Sequence, residues 1–101
     1  MMWYAILCED APGSLESRKR LRPGHVERLR DLQAEQRLLL AGPLPAIDAT
    51  DPGPAGFTGS LIVAQFESLA AATRWAEADP FRQGGIYARV AVRPFNKVFP
   101  E

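Results

Sequence analysis

The sequence predicts an α+β fold, and three observations predict it. Four short runs rich in aliphatic, β-branched and aromatic residues, WYAILCE, LLLAG, SLIVAQF and IYARVAV, read as strands. Two segments, HVERLRDLQAEQ and LAAATRWAEA, place their apolar residues at helical spacing instead. Clusters of Pro, Gly and Asp punctuate the chain between them. The resulting order is strand, helix, strand, strand, helix, strand. That is the ferredoxin-like βαββαβ plan, an antiparallel sheet with helices on one face.

In the first strand both alternating sets are apolar, Trp3, Ala5 and Leu7 against Tyr4, Ile6 and Cys8, so both faces of the sheet want cover. Cys8 reads as a small core residue, because nothing beside it in sequence would lower the pKa of its thiol. The segment Asp10 to Ser14 reads as a loop, with Ser14 or Ser17 able to cap a short helical turn. Proline is welcome in the first turn of a helix, so the main helix is expected to start near Pro23 and run through HVERLRDLQAEQ. Its inner stripe is His25, Leu29 and Leu32 with Val26 alongside, while Glu27, Arg28, Arg30 and Asp31 fall largely outside.

The strand LLLAG is expected to end at Gly42 and Pro43. From there to Gly59 the chain is rich in Pro, Gly, Asp and Ala, a long loop that is a candidate lid or pocket wall. After the strand SLIVAQF, Ser68 can cap a helix whose buried stripe is Leu69, Ala72, Trp75 and Ala76. Pro80 blocks simple continuation from Asp79, and the pair Gly84 and Gly85 breaks the turn that follows. The last strand places Ile86, Ala88, Val90 and Val92 on one side.

Length and composition bound the function. The 101 residues make one domain, residues 1–101. Lys plus Arg and Asp plus Glu are both 12, so no global field draws the chain to nucleic acid or anionic lipid. Arg18, Lys19, Arg20, Arg22, Arg28 and Arg30 nevertheless cluster in one segment. A solvated helix face is the plain explanation; attraction of an anionic small molecule is the sharper one. The lone Cys8 forms no internal disulfide and points to a reducing, cytoplasmic setting. The start MMWYAILCED does not read as a leader, and no apolar run approaches the ~20 residues of a membrane span. One Cys and one His do not make the usual zinc set, and no glycine fingerprint or P-loop is present, so no cofactor is expected.

Strands apolar on both sides need a cover on the face the helices leave open. In so short a chain the economical cover is a second copy of the same sheet across a two-fold axis, so a homodimer is expected.

The segments RPGHVERL, LLLAGPLPA, the GFTGS turn into the third strand, DPF with glycines after it, and the closing VRPF together resemble the YciI-like family. The match runs from Trp3 to Phe99, and five motifs in this order are far more specific than any one alone. The resemblance implies a dimeric α+β barrel, built from protomers whose sheets face one another. It also implies a pocket per protomer with an active histidine and aspartate, here His25 and Asp79. The family's biochemical role is mostly unassigned, though some relatives act on chlorinated aromatic or quinone-like small molecules.

In such a pair the imidazole exchanges a proton near neutrality while the carboxylate fixes its tautomer. A lone histidine on an apolar helix face is also a common core residue, and Asp before Pro a common helix cap; cap and orienter are compatible roles. Arg22, beside His25, is a candidate anion contact. Ser60 can hydrogen-bond a ligand, although a Ser-His-Asp triad has little support because no base adjoins it in sequence. Gly42 and the segment around Gly59 can line a pocket through backbone groups, and Phe81 is either core or pocket wall. Two readings remain open. One is a cofactor-independent enzyme of lyase, isomerase or dehalogenating-elimination type acting on a cyclic or aromatic, anionic substrate. The other is a non-catalytic metabolite-binding or partner-interaction module.

Overall fold

A computed structural model describes residues 1–101. The elements are β1 (Met2–Asp10), α1 (Leu15–Ala34), β2 (Leu38–Pro45), β3 (Phe57–Phe66), α2 (Leu69–Glu77), the short α3 (Pro80–Gln83) and β4 (Tyr87–Phe95), with a 3₁₀ turn at Gly53–Ala55. The four strands form one sheet in the order β2-β3-β1-β4, every neighbouring pair antiparallel. The fold is ferredoxin-like α+β, as the element order predicts. No helix is long and apolar enough to cross a membrane.

Period-two alternation sorts the strands' side chains. Tyr4, Ile6 and Cys8 of β1 and Ser60, Ile62, Ala64 and Phe66 of β3 are buried under the helices. They form the core with Leu32 of α1, Ala72 and Ala76 of α2 and Phe81 of α3. On the other face Leu7 stands opposite Leu61 and Ala91, and Trp3 opposite Gln65 and Phe95. This face is open: Leu7 is 45% exposed and Phe95 37%.

Four local expectations need correcting. The first helix begins at Leu15, eight residues before Pro23, and runs through the proline unbroken. Pro23 removes a single backbone donor. What holds the two halves in one helix is that Arg18, His25 and Leu32, seven residues apart in turn, are all buried on one face. The helix packs against α3 at Gly24, where a Cβ would make an ordinary contact with Pro80 Cγ at 3.4 Å. Secondly, β2 continues past Gly42 and Pro43 to Pro45. It is an edge strand, where a missing N–H is tolerated. Its partner β3 starts at Phe57, before Gly59. The intervening loop is thus shorter than expected, its neck closed by Ala46 N–H donating to the Gly56 carbonyl at 2.9 Å.

Thirdly, the register between β1 and β4 shifts at Glu9 and Asp10, so that Tyr87 turns into the core and Ala88 is exposed. Such a bulge inverts the alternation of the residues beyond it. Fourthly, Leu69 is exposed while Ala72 and Ala76 are buried. Leu69 opens α2, next to its cap Ser68, whose side chain accepts from Ala71 N–H as expected.

Candidate functional site

A cavity of about 260 Å³ opens between α1 and the β2–β3 side of the sheet. An engineered protein cavity of about 150 Å³ holds benzene, so this volume accommodates a substituted single ring. Its walls include Arg22, His25, Gly42, Ser60 and Phe81, all five singled out from the sequence. The loop between β2 and β3 contributes nothing beyond Phe57, the first residue of β3; the wall on that side is Ala41, Gly42 and Pro43 of the strand itself.

Asp79 is 1% exposed and sits at the N-cap of α3, where Oδ1 accepts from Phe81 N–H at 2.9 Å. Pro80, with its fixed φ, opens the helix after it. The same carboxylate receives His25 of α1: Nδ1 lies 2.9 Å from Oδ1 and 2.9 Å from Oδ2. An ionised carboxylate only accepts, so in neutral His25 Nδ1 carries the proton and Nε2 carries the lone pair. The ring is clamped against Phe81, centroids 4.0 Å apart and planes within 9°, which fixes its orientation. His25 is 7% exposed and lines the cavity, and its Nε2 has no protein partner yet is not sealed from solvent.

Arg28, expected on the outer side, folds inward. Its Nη1 donates to Asp79 Oδ2 at 3.3 Å, its Nη2 to the Trp75 carbonyl at 2.9 Å, and its guanidinium lies over the Trp75 ring at 4.4 Å. The long side chain spans from an intermediate position on α1 to α2, and the indole face stabilises its charge. Asp79 therefore carries three roles at once, as cap, ion-pair partner and histidine orienter.

Ser60 does not join this group. Its Oγ accepts from Arg18 Nη2 at 3.0 Å and from Tyr87 Oη at 2.8 Å, so the structure contains no Ser-His-Asp triad. Arg18 and Tyr87 were both missed from the sequence. Arg18 is 8% exposed and is held by Asp10, with Nε to Oδ2 at 2.6 Å and Nη2 to Oδ1 at 3.0 Å; Nη2 also reaches the Gly59 carbonyl at 2.8 Å. Only glycine fits at 59, because a Cβ there would overlap the Cys8 carbonyl oxygen at 1.9 Å. Arg22 lies at the exposed rim of the cavity. Gly42 has open space where a Cβ would stand, so it lines the wall without being sterically required.

Cys8 is in the core as expected. Burial above all, then the negative charges of Asp79 and Asp10, pushes its thiol up to about 12, against the opposing hydrogen bond with Tyr87. The thiol is protonated at neutral pH and is no nucleophile. Burial likewise raises the Tyr87 phenol, which stays a neutral hydroxyl.

The YCII-related domain matches residues 2–96. Protein YciI of Escherichia coli O6:H1 is 55% identical over 98 residues, covering 97% of this chain and 100% of that protein. Among solved structures, the 5-chloro-2-hydroxyhydroquinone dehydrochlorinase TftG of Burkholderia phenoliruptrix AC1100, in complex with 2,5-dihydroxybenzoquinone, superposes with a TM-score of 0.81 at 31% identity over 94% of each chain. An antibiotic biosynthesis monooxygenase superposes at 14% identity with a TM-score of 0.52, covering 97% of this chain and 99% of its own, a likeness of fold alone.

Proposed function

The chain belongs to the YCII-related family as a direct homologue of YciI, and from that premise we propose that it is a small-molecule enzyme in which His25 and Asp79 perform general acid–base chemistry on a cyclic or aromatic, anionic substrate. One observation carries this reading. His25 Nδ1 is held by both oxygens of Asp79, which leaves the basic Nε2 unpartnered at the wall of a cavity of ring size. An imidazole needed only for packing has no use for a free lone pair facing a cavity. The dehydrochlorinase activity in the name of the neighbour TftG, and the quinone bound to it, support a ring substrate and an elimination.

In the forward direction Nε2 takes a proton from a saturated ring C–H, as in the keto tautomer of a hydroquinone, next to a saturated carbon that carries the halide. The electron pair left behind forms a new π bond as halide departs from the adjacent carbon; in an isomerisation the same proton returns at a different atom. Asp79 stabilises the imidazolium that forms between these steps. The cavity would hold one substrate molecule without a resident cofactor. The unpaired, buried Cys8 agrees with a reducing, cytoplasmic setting for a one-domain protein.

The test is an ultraviolet-monitored screen of halogenated hydroquinones and hydroxyquinones with wild-type protein and His25→Asn. Turnover is expected to fall by about 10²–10⁴-fold in the variant, with ligand binding retained. Turnover that survives the substitution excludes the histidine mechanism, and binding without turnover across the screen assigns the cavity to a binding module.

We infer in addition that the protein is a homodimer through the open sheet face. The exposed Leu7, Leu40, Leu44 and Phe95, beside the half-buried Trp3 and Leu61, make that face an apolar surface of the kind monomers rarely expose. Sedimentation is expected to give a dimer for the wild type and a monomer for Leu7→Asp. A wild-type monomer at micromolar concentration removes the inference.

A further inference from the structure

The polar cluster around Arg18 has no part in proton transfer at His25, and its hydrogen bonds can be counted. Of the three guanidinium nitrogens, Nε and Nη2 are engaged with Asp10, Gly59 and Ser60. Nη1 bonds no protein acceptor and is not sealed from solvent, and Arg18 lines the cavity. Tyr87 is buried beside Cys8 and Ser60, and its hydroxyl donates to the stronger acceptor of the two, Ser60 Oγ at 2.8 Å, rather than to the weakly accepting sulfur. Ser60 Oγ then accepts twice, from Arg18 and from Tyr87, which uses both lone pairs. Its own proton has no acceptor in the protein, and Ser60 too lines the cavity.

The remaining electrostatics point the same way. Arg18, Lys19 and Arg22 line the cavity, and no carboxylate does. Asp10 and Asp79 lie behind the wall, on Arg18 and His25. The cavity thus offers donors and positive charge, and a ligand must bring the acceptors.

We propose that Arg18 Nη1 and the Ser60 hydroxyl form an oxyanion receptor in the cavity, which takes an anionic oxygen carried on the ligand's ring, with Tyr87 as the positioning residue that turns the Ser60 proton toward it. This rests on reading the cavity as the site of a small ring compound, and not on the acid–base role of His25. Arg18 and His25 are two helical turns apart, about 10 Å along the axis, and both touch the Phe81 ring. A ring whose oxygen docks on Arg18 therefore extends toward Nε2. The receptor also stabilises charge that proton removal by His25 sends into the ring.

The probe is 4-nitrophenol, whose phenolate is coloured and which titrates near neutrality. Wild-type protein is expected to bind the phenolate in preference to the phenol, lowering the apparent pKa of the bound probe by about one unit. Ser60→Ala should reduce that preference about threefold and Tyr87→Phe about twofold. Should Ser60→Ala alone fold poorly, the double variant Ser60→Ala with Tyr87→Phe leaves no orphan hydroxyl and serves instead. Arg30→Gln, exposed on α1 outside the cavity, should change it less than about twofold.

Equal affinity for the two forms, no phenolate binding at millimolar concentration, wild-type preference in the serine variants, or a preference lost with Arg30→Gln each overturns the receptor. Loss of turnover in His25→Asn alongside unchanged binding in Ser60→Ala refutes the receptor and spares the acid–base reading. The opposite pattern refutes the acid–base reading and spares the receptor.

Discussion

Two buried carboxylates, Asp10 and Asp79, each grip a side chain of α1, and the two gripped residues lie seven apart on the same helical face. They differ in what they hold. Asp10 holds a guanidinium that is charged at every accessible pH, so its half of the site is a fixed electrostatic frame. Asp79 holds an imidazole, a ring that can pass a proton in a reaction, and it shares its charge with Arg28 and the cap of α3. One helix therefore carries a fixed charge and a proton-transfer group into the same cavity. Structure depends mainly on the first and chemistry on the second.

That division can be broken from either side. Asp79→Asn keeps an oxygen for Phe81 N–H but presents an amide N–H to His25 Nδ1, which then accepts and moves the ring proton to Nε2. The lone pair is withdrawn from the cavity, and turnover is expected to drop by about 10²–10⁴-fold, with unfolding in urea changed far less. Arg18→Ala removes a receptor group and, unlike Asp79→Asn, also strikes at stability. It strands Asp10, whose side chain is 3% exposed, as an unpaired buried charge, at a cost of about 3–5 kcal/mol. In a domain of this size that lowers the melting temperature on the order of 20 °C. If Arg18→Ala left stability intact, or Asp79→Asn left turnover intact, the two carboxylates would not have separate duties.

The sequence shows the two halves unequally. The strand and helix order follows from periodicity and from Gly and Pro punctuation, and His25 stands out as the one polar ring in an apolar stripe. Its pairing with Asp79, 54 residues away, came from family motifs, because no local pattern records a contact between α1 and the cap of α3. Arg18 stayed hidden among neighbouring basic residues, where an arginine reads as solvated. The signal present was its spacing of seven from His25, which the supposed helix start at Pro23 cut off. Tyr87 stayed hidden for a different reason. Alternation assigns it to the side opposite Val90, and only the bulge between Glu9 and Asp10 brings it inward. The extra residue is Ala88 of β4 itself, and nothing in its identity marks the alternation it inverts.

A smaller effect sharpens the comparison, because Cys8 feels both carboxylates. Its thiol is raised from 9.0 to about 12, by burial first, then by Asp79, with Asp10 a lesser cause. The unfolded chain therefore releases this proton before the folded one does. The contribution to stability is complete below about pH 9 and is lost as pH climbs toward 12, with Tyr87, also raised, acting in the same direction. Over the full window the loss is on the order of 4 kcal/mol. Urea midpoints measured at pH 7, 9 and 10 should fall across the last two for wild type and fall less for Cys8→Ala, whatever the variant's stability at pH 7. The slope is the readout, since removing the sulfur alters packing equally at each pH. A slope unchanged in Cys8→Ala would mean that other groups dominate the alkaline limb, and that the two carboxylates do not meet at this thiol.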